Sequence, residues 1–364
     1  MRIAVIEHVA GGDYTEYLFS LIQEQARLHN YQARAWSRSV PASQQKVDDN
    51  TIVLISIENK TTFFLNWMYR VKIPSILKKI KADVVIDLNG IASPKIKIPQ
   101  WIAIGTPFFS NNVKQLNAVE KFAVDNFASS QKQANTILIY SDDKAENEKI
   151  IAREKLQLMP FTAPAIFKAF EWHEKIMIKA QYADNKEYFI AMIEDEAVDD
   201  FVLLLQGFSK FKKWQQSNMQ LLILPKYEAF SAAITAKLQT YKYRDDVQLL
   251  DDIDEKEIAS IIASANAFVH VTATAQLFIV SVALQCGLPV ISFENDEVKE
   301  YAGDAALFCT ERTAGALGDV LIQLYKDENL QAQLKEAAKK QVAGLSRAEY
   351  ADKLWQLLNI NNIQ

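Results

Sequence analysis

The sequence predicts an α/β chain folded as two doubly wound domains, each built on a parallel sheet. Three observations lead there. Short apolar runs of strand length recur along the chain, helical segments separate them, and the alternation breaks once near the middle before it resumes. Short apolar runs joined by helices are what a parallel sheet covered on both faces requires. At 364 residues, 49% hydrophobic and 23% charged, the chain is long enough for two separate cores.

The first half opens with a strand over Ile3 to Glu7, the loop HVAGGDY, and an amphipathic helix from about Thr15 to Leu28 with apolar positions at Tyr17, Leu18, Leu21 and Ile22. Further strands are predicted at 51–57 (TIVLISI), 82–88 (ADVVIDL), 101–105 (WIAIG) and 136–141 (TILIYS), with helices between them. The pattern then turns irregular, with Pro160 and Pro164 ahead of a charged, aromatic stretch that reads as a linker. The second half restarts with YFIAM at 188–192, the helix DDFVLLLQGFSKFKKW, the strand MQLLIL, a helix over 227–241 and the strand VQLL. The helix EKEIASIIASA, the strand AFVHV, an apolar helix over 276–286, the strand PVISF and helices after Thr313 complete it. The domain reading is 1–165, a linker 166–186, a second domain 187–345, and a final helix 346–364 that crosses back to the first domain.

A formal charge of -5 argues against a general nucleic-acid surface, which needs clustered Lys and Arg to neutralise phosphates. The two cysteines, Cys286 and Cys309, cannot form a disulfide framework, and Cys286 lies in an apolar helix pattern that suits a buried thiol in a reducing compartment. The N-terminus reads as a first strand rather than a signal peptide. No run approaches the roughly 18 apolar residues of a membrane span. The expectation is a cytoplasmic protein, with peripheral association at the inner face of the membrane as an option.

Residues 186 to 358 resemble the nucleotide-sugar-binding domain of the group 1 (family 4) glycosyltransferases of the two-domain GT-B type. The matching text includes KEYF, GFSKFKKWQQSNMQLLIL, EIASIIASANAFVHV, QCGLPVISFENDEVKEYAGDAAL and YADKLW. Over 1–150 the resemblance rests on AGGDY, on IPSILKKIKADVVIDLNGIASPKIKIPQ and on TILIYSDD. It implies two Rossmann-like domains facing across a cleft. It also implies a retaining transfer from a nucleotide sugar to a glycan acceptor, as in polysaccharide assembly. The diphosphate would be held by a basic pair, and the sugar and ribose hydroxyls by two glutamates around a Gly-rich loop. No metal and no cofactor beyond the donor are implied.

The chain departs from that pattern where the chemistry is concentrated. Counting back from Gly287, the two glutamate positions fall on Thr274 and Val282. A carboxylate accepts charge-assisted hydrogen bonds worth roughly 1.5 to 3 kcal/mol each, and a valine accepts none. The Gly-Phe-Gly turn becomes AQLF, with Ala275 and Leu277. The lysine of the basic pair falls on Asp199, with Asp200 at the adjoining asparagine; the upstream Gly-Arg that supplies the other cation falls on Ile193 and Glu194, and an expected glycine on Pro225. A carboxylate about 5 Å from a phosphate charge costs on the order of 3 kcal/mol at an effective dielectric near 20.

Other candidates carry plainer readings beside the functional one. Gly11 and Gly12 follow the first strand, where the family lets an acceptor approach the backbone, yet a strand-to-helix turn also explains them. His8 ends that strand as a candidate base or a hydrogen-bonded loop residue. Thr272, Thr274 and Glu300 are donor-side candidates, and Ser141 an acceptor-side one. His270 reads as a satisfied interior residue and His173 as a surface residue; with His29 these make up the four histidines, none at the spacing of a metal pair. The run LLDDIDEKE reads as a helix N-terminus. Phe208, Phe211 and Trp214 read as core packing. Glu294, Asp296 and Lys299 are the nearby substitutes for the missing charges. Two readings remain open. One is a divergent transferase. The other is an inactive transferase-like scaffold that binds a glycan or a partner glycosyltransferase.

Overall fold

The computed structural model describes residues 1–8, 13–36, 48–58, 61–105, 108, 116–141, 149–194, 197–215, 217–226 and 229–360, and its chain divides into two compact units. Unit 1 is Met1–Phe161 with Ser346–Gln364, and unit 2 is Thr162–Leu345.

Unit 1 is built on seven parallel strands, β1 (Arg2–His8), β2 (Gln32–Ala35), β3 (Thr51–Ile57), β4 (Val84–Asp87), β5 (Gln100–Ile104), β6 (Thr136–Ile139) and β7 (Leu156–Leu158), in the order β2-β3-β1-β4-β5-β6-β7. β4 and β5 are buried at every residue, as strands covered on both faces must be. The helices are α1 (Asp13–Leu28), α2 (Thr62–Trp67), α3 (Ile73–Ile80), α4 (Ala118–Asp125) and α5 (Phe127–Gln133), with a π turn, Met68–Lys72, joining α2 to α3. α1 buries Tyr14, Tyr17, Leu18, Leu21 and Ile22 at helical spacing, with Asp13 and Glu16 in its first turn. α4 starts at a capping box between Asn117 and Glu120.

Unit 2 has six parallel strands, β8 (Tyr188–Ile193), β9 (Gln220–Pro225), β10 (Val247–Leu249), β11 (Ala267–His270), β12 (Val290–Phe293) and β13 (Ala306–Cys309), in the order β10-β9-β8-β11-β12-β13. Counted within the unit this is 3-2-1-4-5-6, so the order reverses between β8 and β11. The helices are α6 (Trp172–Tyr182), α7 (Val198–Gln215), α8 (Ala232–Gln239), α9 (Glu255–Ser264), α10 (Leu277–Gln285), α11 (Asp296–Ala302), α12 (Ala314–Lys326) and α13 (Glu328–Val342). The acidic run before α9 is a capping box between Asp254 and Glu257. Phe208 and Phe211 are fully buried with Phe189 against the sheet.

The last helix, α14 (Arg347–Ile360), belongs to unit 1 and packs on α1. Arg347 Nε lies 2.9 Å from Glu24 Oε2, and Gln25 donates to Asp352 at 3.1 Å.

Several expectations need correction. The segment 166–186 read as a linker holds α6, and the short strand β7, just before Pro160, was not expected. Strands β2 and β13 were not expected. Trp214 is exposed rather than core, with the Lys326 ammonium 4.2 Å from its ring centroid.

Candidate functional site at the strand ends of unit 2

In an open α/β sheet, ligands bind beyond the carboxyl ends of the strands where the order reverses, here between β8 and β11. Register brings five segments together at this edge. Ile193 pairs with Pro225 and His270 with Ser292, so Glu194, Lys226, Val271–Thr272 and Glu294 leave neighbouring strands, and Arg312 follows β13.

The charges at this edge satisfy one another. Glu194 Oε1 is 2.8 Å from Lys226 Nζ and accepts a second bond from Gln276 Nε2 at 2.6 Å. Gln276 precedes α10 with a left-handed backbone, φ +42°, and is buried. A half-buried carboxylate thereby takes up both a cation and an amide donor at the strand ends. Asp200, in the first turn of α7, pairs with Arg312, whose guanidinium also donates to the Val271 carbonyl and lies 5.1 Å from the Phe293 ring centroid. Burial raises the Asp200 carboxyl above its usual range, while Arg312 pulls it back.

His270 is buried and held from both sides, by Ser292 Oγ at 3.0 Å on Nδ1 and Thr272 Oγ1 at 2.9 Å on Nε2. Burial, with Arg312 and Lys226 adding to it, pushes its pKa down to about 4, so the ring is neutral at neutral pH. It is an interior hydrogen-bonding residue.

Thr272 bridges His270 and the Thr274 carbonyl at 3.0 Å, so its hydroxyl braces the loop. Thr274 is exposed, whereas Val282 is buried in α10, whose residues Ile279 to Leu284 are all buried. Asp199 is exposed at the start of α7. Glu300 is half-buried in α11. Glu294 and Lys299 pair with each other at 3.0 Å and so are engaged locally, whereas Asp296 stands exposed in the first turn of α11 behind the Asn295 cap. Gly11 and Gly12 lie outside the described residues, as does the side chain of His8, the last residue of β1. Ser141 follows β6 and is half-buried.

Sequence reasoning missed Lys226 and Arg312, two cations at this edge. Lys226 carried a usable signal, since it is the first residue after β9, where side chains reach a strand-end site. Arg312 could be placed only once β13 was known. Among the described residues, no group of three or more His, Cys, Asp and Glu could hold a metal ion.

Residues 173–341 match the family of glycosyl transferases group 1. No curated protein matches the chain in sequence. Among solved structures, the sucrose-phosphate synthase of Thermosynechococcus elongatus superposes with a TM-score of 0.69 at 14% identity, over 99% of this chain and 98% of its own. A glycosyltransferase of Rickettsia africae ESF-5 gives 0.68 at 13% identity, over 99% and 98%. Anabaena Alr3699/HepE in complex with UDP and glucose gives 0.68 at 10% identity, over 99% of each chain. With its two parallel sheets the chain has the GT-B fold, and residues 173–341, which match the group 1 family, make its second unit glycosyltransferase-like.

Proposed function

We propose that the protein keeps the body of a nucleotide-sugar-dependent transferase but does not transfer sugar through its unit 2 site, and that it serves as a glycan-binding or partner-binding scaffold. One observation carries this reading. The cations at the strand ends, Lys226 and Arg312, are each neutralised by an acid of the chain, Glu194 and Asp200. A diphosphate entering there would have to displace those carboxylates or lie beside them. At about 5 Å and an effective dielectric near 20, each such repulsion costs on the order of 3 kcal/mol, roughly a hundredfold in affinity. Thr274 and Val282, at the positions where the resemblance expects glutamates, offer no carboxylate to a sugar or ribose hydroxyl.

A second reading has its own support. Lys226 and Arg312 stand where a donor diphosphate would need cations, so a transferase could hold its donor with them if the acids swung away. Calorimetric titration with UDP, GDP, ADP and their sugars separates the two. The scaffold reading expects no binding at about millimolar ligand, a threshold worth only about 4 kcal/mol. Micromolar binding abolished by Lys226→Ala would establish the transferase-type site instead.

A further inference from the structure

We propose that the outward face of α6 in unit 2 is the contact surface of a two-fold symmetric pair of this chain. α6 buries none of its residues. It presents Trp172, Ile176 and Met177 to solvent at 77%, 41% and 73% exposure, with Ala180 exposed beyond them. Their spacing along the helix puts these side chains on one face. Trp and Met are enriched where proteins meet, and three large apolar groups together form a patch rather than scattered surface residues. Met177 is the middle residue of α6. A two-fold axis at that point sets Met177 against its own copy and Trp172 of each chain beside Ala180 of the other, so the face is complementary to itself.

Charge selects a second copy as the occupant. Lys175 and Lys179 of α6 and Lys335 of α13 are half-buried and gather around Glu187. Glu187 is taken by Lys179 at 2.6 Å, and among the described residues neither Lys175 nor Lys335 has an ion pair. Burial, with Lys335 and Lys179 adding to it, lowers the Lys175 ammonium below its usual range, so the cluster is short of anions. The chain carries the missing charge at the other end of the same helix. Tyr182, the last residue of α6, donates to Glu257 at 2.6 Å, which places the acidic run 251–257 there. Asp252 and Glu255 of that run are exposed and, among the described residues, have no ion pair. Antiparallel α6 helices bring the acidic run of each copy toward Lys175 of the other. Because α6 leads into the amino end of β8, this surface stands apart from the charges at the carboxyl ends of the strands.

Sedimentation velocity of the full chain from about 1 to 200 μM tests the pair, and a patch of this size should give a monomer–dimer dissociation constant of about tens of micromolar. Raised salt should weaken it. The double variant Trp172→Ser/Met177→Ser should weaken it about a hundredfold. Lys175→Glu and Glu255→Lys should each weaken self-association about tenfold, and mixing the two variants should restore it, because each chain then meets an opposite charge at both symmetric contacts. Trp172 and Met177 are exposed, so an unchanged circular dichroism melt confirms that the first variant is folded. Phe63→Ser removes an equally exposed aromatic of unit 1 and should leave the dimer unchanged. A monomer throughout the concentration range, a dimer indifferent to the Trp172/Met177 change, or no association in the mixture of charge variants would overturn the proposal.

Discussion

Each sheet keeps an acid at the point where its strand order reverses, and the two acids do different work. In unit 1, Asp87 ends β4 and is buried, accepting hydrogen bonds from Tyr69 Oη at 2.7 Å, Asn89 N at 2.9 Å and Ile91 N at 3.2 Å. It ties a helix and the loop through Gly90 to the strand end. In unit 2, Glu194 follows β8, is partly exposed, and faces a cation and an amide. The first acid builds the scaffold, whereas the second cancels charge at the place where the fold otherwise receives an anion. The same topological position can therefore be structural or electrostatic, and burial and partners decide which.

The largest effect should come from Asp87. Asp87→Ala strands a buried tyrosine hydroxyl and two backbone donors and should cost about 3 to 5 kcal/mol in chemical denaturation. Burial pushes its carboxyl up to about 7 in spite of the three hydrogen bonds. With an unfolded value near 3.9, the folded state binds the proton more tightly between about pH 4 and 7. The stability from this group is full below that window and is lost as pH rises through it. Asp87→Asn should remove that slope, read as the difference between wild-type and variant stability across the window. An unchanged slope would mean the carboxylate is ionised throughout and its role is that of a plain acceptor.

A smaller effect is expected in unit 2. Glu194→Ala should cost about 1 to 2 kcal/mol, because the pair with Lys226 is only partly shielded from water. Its loss should weaken as salt is raised. An effect as large as that of Asp87→Ala, and insensitive to salt, would place Glu194 among the structural acids and erase the contrast.

The fold was legible because its strands are short apolar runs with helices between them, and the core strands β1, β3, β8, β9 and β11 fall where those runs lie. Where reading failed, the missing signal is identifiable. β2 is an edge strand of sequence QARA, exposed at every residue, so it has no buried face to alternate against. α6 buries none of its residues and turns Trp172, Ile176 and Met177 outward, so its apolar positions mimic an irregular segment. β13, ALFC, is four residues long and largely half-buried. At the site, the substitutions at Asp199, Asp200 and Glu194 could be read by position along the chain. Their partners could not. Lys226 lies 32 residues from Glu194 and Arg312 lies 112 from Asp200, and only strand register brings them together.

The central claim is that the chain's own acids occupy the cations of the unit 2 strand ends. Its most direct test is calorimetric titration of UDP and of pyrophosphate into the wild type and into Glu194→Ala/Asp200→Ala. The account predicts no binding to the wild type at about millimolar ligand, and binding to the double variant tighter by about a hundredfold or more as Lys226 and Arg312 are released. Equal affinity in the two proteins, or tight binding to the wild type alone, would contradict it.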